Sequence, residues 1–349
     1  MQQLDEVMAK TPKKDALPKS DEKVLARFAH SLDRLAKPGQ TVGLAVSGGP
    51  DSLALLLLAA AARPGKIAAA TVDHALRDGS RGEAEMVAAV CEKLGVPHEI
   101  LTVEWDKKPE TAIQEKARAK RYTALSEWAK RKSIAVIATA HHAEDQAETL
   151  LMRLARGSGV RGLAGMRPLR KVPQMEGSLA RPLLRWKRSD LADICAAAGL
   201  KPVQDPSNDD TRFERVRVRE TLAGAEWLDP MGVVKSAAYL NQANAALRWA
   251  ARQEWAKRVT EADSVITFDA AGLPSELNRR IVVSILDKLG TEGRGTEMRG
   301  RELDRLLTLL GQGKKATLRG VLCGGGEQWR FAKAPKRNKA RVKAAEAAA

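Results

Sequence analysis

The sequence predicts an α/β protein: a doubly wound, mostly parallel sheet followed by a smaller, mainly helical C-terminal domain. Three observations carry that expectation. From about residue 41 to residue 155, short apolar runs alternate with segments of helical length, a pattern that needs crossover connections and therefore parallel strands. The polar clusters "SGGPDS", "DHALR" and "AHHAEDQAE" each fall just after a predicted strand, where ligands bind in open sheets of this kind. At 349 residues the chain can form two domains, each with its own core.

The elements follow in order. "TVGLAV" is a buried strand, Ser52 to Ala62 a helix, "IAAATVD" a strand, Arg81 to Leu94 a helix and "HEILTV" a strand. A long amphipathic helix then spans "TAIQEKARAKRYTALSEWAKRK", followed by the strand "IAVIATA" and a helix from Ala143 to Ala155. These assignments rest on the apolar period of each segment. Beyond "RPLLRW" a helix runs from about Ser189 to Ala198, and "GLKPVQDPSNDDTRFERVRVR" is rich in turns and then in arginine. Helical periods recur from Val234 to Val259 and from Glu302 to Leu310, and the triple glycine Gly324, Gly325, Gly326 marks a small hairpin. The expected organisation is a flexible arm over 1–20, the α/β domain over 21–222, the mainly helical domain over 223–333 and a basic flexible tail over 334–349.

A formal net charge of +16 favours a polyanionic partner, nucleic acid first. Aromatic residues make up 4% of the chain, too few for a base-stacking sheet. Cys91, Cys195 and Cys323 are far apart, so neither a disulfide framework nor paired zinc ligands are expected. That usage fits a reducing, cytoplasmic setting. The first residues carry mixed charges without an apolar core, and the longest apolar run stops at Arg63, so neither a signal peptide nor a membrane span is expected.

In "SGGPDS", Gly48 and Gly49 permit close backbone approach, and the helix start that follows offers unpaired N–H groups to an anion. No Lys-Ser or Lys-Thr pair follows, so this is not a Walker A loop. Taken alone it is equally a plain strand-to-helix turn.

After a first strand, the stretch resembles the pyrophosphate-binding loop of the N-type ATP pyrophosphatases, the PP-loop enzymes with a Rossmann-like sheet. The resemblance implies that Ser47, Gly48, Gly49, Pro50, Asp51 and Ser52 bind ATP, with Asp51 beside Mg2+. Within that superfamily, "VDHALRDGSRGEA" resembles the tRNA(Ile)-lysidine synthetases and puts Asp73 and His74 beside the nucleotide. "KARAKRYTAL" matches the helix of that family in which Arg118 and Arg121 stand three residues apart on one face. Two forked guanidiniums so placed can grip phosphates of ATP or RNA. The longest match is "HHAEDQAETLLMRLARGSGVRGLAGM", with Glu144 where the family has Asp. His142, Asp145 and Glu148 share the start of its helix, and the carboxylates would hold Mg2+ or the ammonium of an amino acid. Arg156 and Ser158 lie in a loop suited to phosphate or RNA backbone. Finally "DPSNDDTRFERVRVR" matches at Asp205, Pro206, Ser207, Asn208, Arg215 and Arg219, with Phe213 in place of Tyr and Val216 in place of Asn.

What the resemblance implies is an enzyme that adenylates the wobble cytidine of the CAU anticodon of tRNA(Ile) at O2 and then joins free lysine to C2, releasing AMP. Asp51, Asp145, Glu148 and Arg118 would be catalytic, and Asp51 and Asp145 would hold Mg2+. Arg121, His142, Arg156, Ser158, Asn208, Arg215 and Arg219 would contact tRNA or substrate. No protein partner is required, and a homodimer is left open. Two alternatives remain: another PP-loop tRNA modifier such as a thiolase, which the scattered cysteines disfavour, and a non-catalytic basic tRNA-binding protein, which the retained carboxylates disfavour.

Overall fold

The structure, a computed structural model, describes residues 22–76, 79–105, 111, 113–172, 176–203, 210–290 and 300–335. The chain divides into two compact units, one up to Leu240 and one from Asn241.

The first unit is built on a six-stranded sheet. Its strands are β1 (Val42–Ala45), β2 (Ile67–Asp73), β3 (His98–Thr102), β4 (Val136–Ala138), β5 (Leu169–Lys171) and β6 (Ser178–Ala180). They lie in the order β3-β2-β1-β4-β6-β5, all parallel except the pairing of β5 with β6. The chain therefore winds outward from β1 in one direction and returns to continue from β4 in the other. This puts the topological switch point between β1 and β4, where the carboxyl ends of the strands open a crevice.

Alternation along the strands divides the interior into two cores. Val42, Leu44, Ala69, Val136 and Ala138 face a core shared with α1 (Glu22–Asp33), α2 (Pro50–Ala62), α3 (Ser80–Lys93) and α7 (Arg188–Ala197). Ala70, Ile137 and Leu179 face the other, filled by Leu125, Trp128 and Ala129 of α4 (Ile113–Arg131). Helix α2 is buried from Ser52 to Ala59. That explains its unbroken Leu/Ala run, since a helix enclosed on all sides has no polar face to show. Helix α1, not expected from the sequence, buries Phe28 and Leu32 and sets Phe28 edge-on to Trp186, with ring centroids 6.5 Å apart.

Two further helices carry the site. Helix α5 (Ala143–Ala155) follows β4, and the short α6 (Val160–Leu163) follows it. Helix α8 (Glu214–Ala223) covers the arginine-rich segment, and α9 (Pro230–Arg258) comes next.

The second unit combines α10 (Ser275–Leu289) and α11 (Gly300–Gly311) with a five-stranded antiparallel sheet. Its strands β7 (Val259–Ala262), β8 (Val265–Phe268), β9 (Lys315–Leu318), β10 (Val321–Gly324) and β11 (Trp329–Lys333) lie in the order β7-β8-β11-β10-β9. The hairpin around Gly324 is therefore one part of a larger sheet. Between β7 and β8 the turn is made by two non-glycine residues, Asp263 and Ser264, both at positive φ, whereas Arg319 and Gly320, also both at positive φ, make the turn between β9 and β10. Phe268 and Trp329, paired directly across β8 and β11, meet edge-on within the core of this unit.

Gly43 in β1 shows how closely the second core of the first unit is packed. A Cβ there would lie 2.7 Å from Cζ3 and 2.9 Å from Cη2 of the buried Trp128. Gly43→Ala should lower stability by about 1–3 kcal/mol, read as a fall in the urea midpoint. An unchanged midpoint would contradict the seating of Trp128 on β1.

Candidate active site

The polar clusters read from the sequence come together on one rim, at the carboxyl ends of β2, β1, β4 and β6. Closest to the switch point is the loop from Ser47 to Ser52. Gly48 takes φ +84°, and a Cβ there would press on Met86, Val203 and Val87 at 3.3–3.4 Å. Its carbonyl accepts the Val203 N–H at 3.0 Å. Ser52 ties the loop to its own helix: its hydroxyl donates to the Gly49 carbonyl at 2.9 Å and accepts the Ser47 N–H at 3.1 Å. Pro50 starts α2 with its φ already fixed for a helix, and the Cys195 thiol donates to its carbonyl at 3.1 Å. Gly49, at the N-cap, makes no side-chain capping bond. A concave backbone turn at the start of a buried helix is an anion cradle.

Asp51 stands in the first turn of α2. One of its oxygens, Oδ2, is 3.5 Å from Nε2 of His142, while Oδ1 is buried without a hydrogen-bond partner. His142 is the N-cap of α5. Its Nδ1 lies 2.9 Å from Glu144 Oε2 and its Nε2 3.4 Å from Asp145 Oδ2. Its backbone N–H donates to Asp145 Oδ2 at 3.0 Å, half of a capping box. Burial opposes charge on this ring, but bonds to Asp51 and Glu144 and the charges of Asp145 and Asp51 outweigh it and push its pKa up to about 10. His142 is an imidazolium at neutral pH. Burial also works against ionisation of Glu144 and Asp145, and both are nevertheless held below the ordinary carboxylate range, Glu144 by His142 and Asp145 by His142 and Arg215. Glu144 also accepts the Arg188 N–H at 3.0 Å, so the family departure at this position serves both the histidine and the start of α7.

Glu148, expected to contact metal or an ammonium, is engaged here by two arginines. It is 1% exposed and accepts Arg215 Nε at 2.5 Å and Arg219 Nε at 2.8 Å, while Arg215 Nη2 reaches Asp145 at 2.6 Å. Arg215 and Arg219, expected to contact tRNA, are half-buried and clamp α8 onto α5 through these bonds. Arg156 is ion-paired with Glu214. Ser158 donates its N–H to the Arg153 carbonyl. The loop from Arg156 to Met166 is tied down by Arg153, which donates to the Gly162 and Gly165 carbonyls, and by Gln146, bonded twice to Met166. Gln146 lies inside the longest matching motif, and its role shows only in the fold. Val216 is buried, an environment suited to Val in place of an amide. Asp205, Pro206, Ser207 and Asn208 lie outside the described residues.

On the other side of the rim, Asp73 accepts the Ala75 N–H at 2.9 Å and the Ser80 hydroxyl at 2.7 Å. His74 Nε2 is 3.3 Å from both Nε and Nη2 of Arg121. Burial first, then Arg121, lowers its pKa to about 4 despite Asp73, so the ring is neutral and its Nε2 accepts. Arg118 donates to the Tyr122 hydroxyl at 2.8 Å and lies over that ring. Beyond β4, His141 Nδ1 is 2.8 Å from the Thr139 hydroxyl. Burial, reinforced by Arg181, Arg215 and Arg118 and opposed by Asp145, lowers its pKa to about 3. Neighbouring histidines, His141 and His142, thus carry opposite charge states.

A PP-loop domain model matches residues 20–226. The tRNA(Ile)-lysidine synthase of Zymomonas mobilis is 44% identical over 302 residues, 86% of this chain and 90% of that protein. The chain belongs to the tRNA(Ile)-lysidine synthase family. The family's enzyme from Novosphingobium aromaticivorans is 46% identical over 301 residues, again 86% of this chain and 90% of the relative. Among solved structures, a U34-tRNA thiolase of Methanococcus maripaludis superposes with a TM-score of 0.53 at 16% identity, covering 62% of this chain and 76% of that one. At that identity the likeness is one of fold. Sulfur chemistry finds no support in this lysidine synthase family member: Cys91, Cys195 and Cys323 are all free and buried, and burial pushes each thiol up to about 12.

Two outcomes test the site's electrostatics. Since the folded pKa of His142 lies above its ordinary 6.5, its stabilisation is complete below that pH and is lost as pH rises toward about 10. The melting temperature should fall across that window, and the fall should be shallower in His142→Gln; parallel profiles would contradict the charged ring. Glu148→Gln should cost about 2–3 kcal/mol in chemical denaturation, below the ~3–5 kcal/mol of a fully buried pair because both arginines are partly exposed. A loss under ~0.5 kcal/mol would contradict the clamp.

Proposed function

We propose that this chain joins lysine to C2 of the wobble cytidine in the CAU anticodon of tRNA(Ile), through an adenylated cytidine, in the cytoplasm. The observation that best supports this reading is the convergence, on one rim, of an anion cradle that lacks a Walker lysine and a carboxylate, Asp51, with one unpartnered oxygen. A loop of that kind suits pyrophosphate, which leaves when the α-phosphate is attacked.

The residues present fit a Mg2+ ion. The unpartnered Oδ1 of Asp51 is the hard oxygen such an ion takes. Among the described residues no group of three or more His, Cys, Asp or Glu is arranged to hold a metal, so phosphate oxygens and water would complete its shell. Asp51 and Asp145 would hold it, and when bound it would supply charge neutralisation at the phosphates.

The chain's own groups have these roles in the proposal. Ser47, Gly48, Gly49 and Ser52 hold the β- and γ-phosphates against the start of α2. The His142 imidazolium helps keep Asp145 ionised and holds Asp51 in place. Arg118, which pairs with no carboxylate among the described residues, offers its charge to the α-phosphate as the cytidine O2 attacks. His74 and Asp73 border the nucleotide. A carbonyl oxygen leaves poorly and AMP leaves well, so adenylation opens C2 to the lysine amine. Asp145, with Asp51, faces the lysine ammonium, which gives up a proton to solvent before the free amine attacks C2 and AMP leaves. The wobble base belongs to a single-stranded loop, so bringing it into a pocket costs less than extrusion from a duplex. The second unit would hold more of the tRNA, consistent with the chain's net charge of +16.

Nucleoside mass analysis of tRNA(Ile) incubated with the protein, ATP and lysine should find lysidine in place of the wobble cytidine. Unmodified or thiolated nucleoside would contradict the proposal. Asp51→Ala should cut tRNA-dependent pyrophosphate release by about 100-fold or more while tRNA binding is retained.

A further inference from the structure

Two buried arginines of the first unit are treated in opposite ways. Arg63, at the C-cap of α2, spends its guanidinium fully: Nη1 donates to the Lys37 and Gln40 carbonyls at 3.2 and 3.3 Å, and Nη2 to the Ala36 carbonyl at 2.7 Å and to the Asp33 carboxylate at 2.6 Å. Its charge is answered. Arg181 is buried more deeply, at 4% exposure, and its guanidinium has one protein acceptor, the Arg167 carbonyl, 2.8 Å from Nη1. Its Nε is buried without a hydrogen-bond partner, and no carboxylate among the described residues pairs with it.

Its surroundings add positive charge. Burial first, then Arg170, Arg118 and Arg153, lower its pKa to about 10 against a raising contribution from Tyr122. It is a full cation at neutral pH. A buried cation with no counter-ion is expensive unless something arrives to neutralise it.

Its place in the fold indicates what arrives. Arg181 directly follows Ala180, the last residue of β6, which pairs with Ala138 of β4. The Thr139 N–H donates to the Ala180 carbonyl at 3.0 Å, and the Arg181 N–H to the Pro168 carbonyl at 2.8 Å. Arg181 therefore stands on the carboxyl rim, on the strand beside the one that leads into His141 and His142. Backbone and side chain are both tied down, which orients the fork in advance.

We propose that Arg181 is a phosphate-binding residue of this rim, holding either the α-phosphate of ATP and the adenylate or a backbone phosphate of the tRNA. Its forked N–H groups suit phosphate oxygens. The inference rests on the proposed function for the identity of the phosphate, and on the buried, unanswered guanidinium for its existence.

The test uses the full chain with Arg181→Gln and Arg181→Lys, calorimetric titration with ATP and with AMP, and binding of a tRNA(Ile) transcript across a salt series. If the phosphate is that of the nucleotide, Arg181→Gln weakens ATP and AMP binding by ~10-fold or more with tRNA affinity unchanged, and Arg181→Lys recovers part of the loss. If it belongs to the tRNA, the transcript binds ~10-fold more weakly and the salt slope falls by about one, with ATP unchanged. Both affinities within twofold of wild type in a folded Arg181→Gln protein would overturn the proposal. Should that variant not fold, the Nε–H resonance of Arg181 in the wild-type protein decides: it moves on adding AMP or the transcript, and a signal unmoved by both overturns the assignment. None of these readouts needs lysine or turnover. A chain that makes no lysidine yet binds phosphate through Arg181 would fail the functional proposal and keep this one.

Discussion

The site depends on one buried positive charge, the imidazolium of His142, held among Asp51, Glu144 and Asp145. Three carboxylates drawn together at a rim would repel one another and take up protons. With the ring charged at their centre, Glu144 and Asp145 stay ionised. The same ring connects the first turn of α2, which shapes the phosphate loop, to the first turn of α5. The ring thus links the loop, itself tied by Ser52 and Val203, to the acidic pair at the start of α5.

Around that charge the arginines divide by partner. Arg215 and Arg219 are engaged with Glu148 and Asp145, so their guanidiniums seat α8. Arg118 and Arg121 have only neutral partners among the described residues, Tyr122 and His74. Net charge alone does not separate these two groups; the presence of a carboxylate within bonding distance does. Positive charge on this rim without a carboxylate partner among the described residues lies on the second group and on Arg181.

How much was legible follows from the range of each interaction. The loop from Ser47 to Ser52 and the start of α5 are set by neighbours a few residues apart, and the sequence showed both, together with the parallel sheet and the boundaries of α5. The clamp on Glu148 joins residues 67 and 71 positions apart, and charged residues in an arginine-rich stretch read as RNA contacts until the partner is seen. Glu144 looked like a mere substitution because its bond to His142 depends on ring orientation. Arg181 left no local signal, since burial decides its significance. In the second unit only the hairpin at Gly324 is legible in the sequence: the β7–β8 turn is made by Asp263 and Ser264, without the glycine that usually announces one, and a lone Gly320 marks the β9–β10 turn.

Histidine side-chain 15N NMR tests the central charge most directly, and with five histidines in the chain the ring signals can be assigned by single substitutions. The structure predicts that His142 shows both nitrogens protonated at pH 8 and titrates near pH 10, while His74 and His141 stay neutral at pH 6. A His142 ring that is neutral at pH 8 would contradict the account.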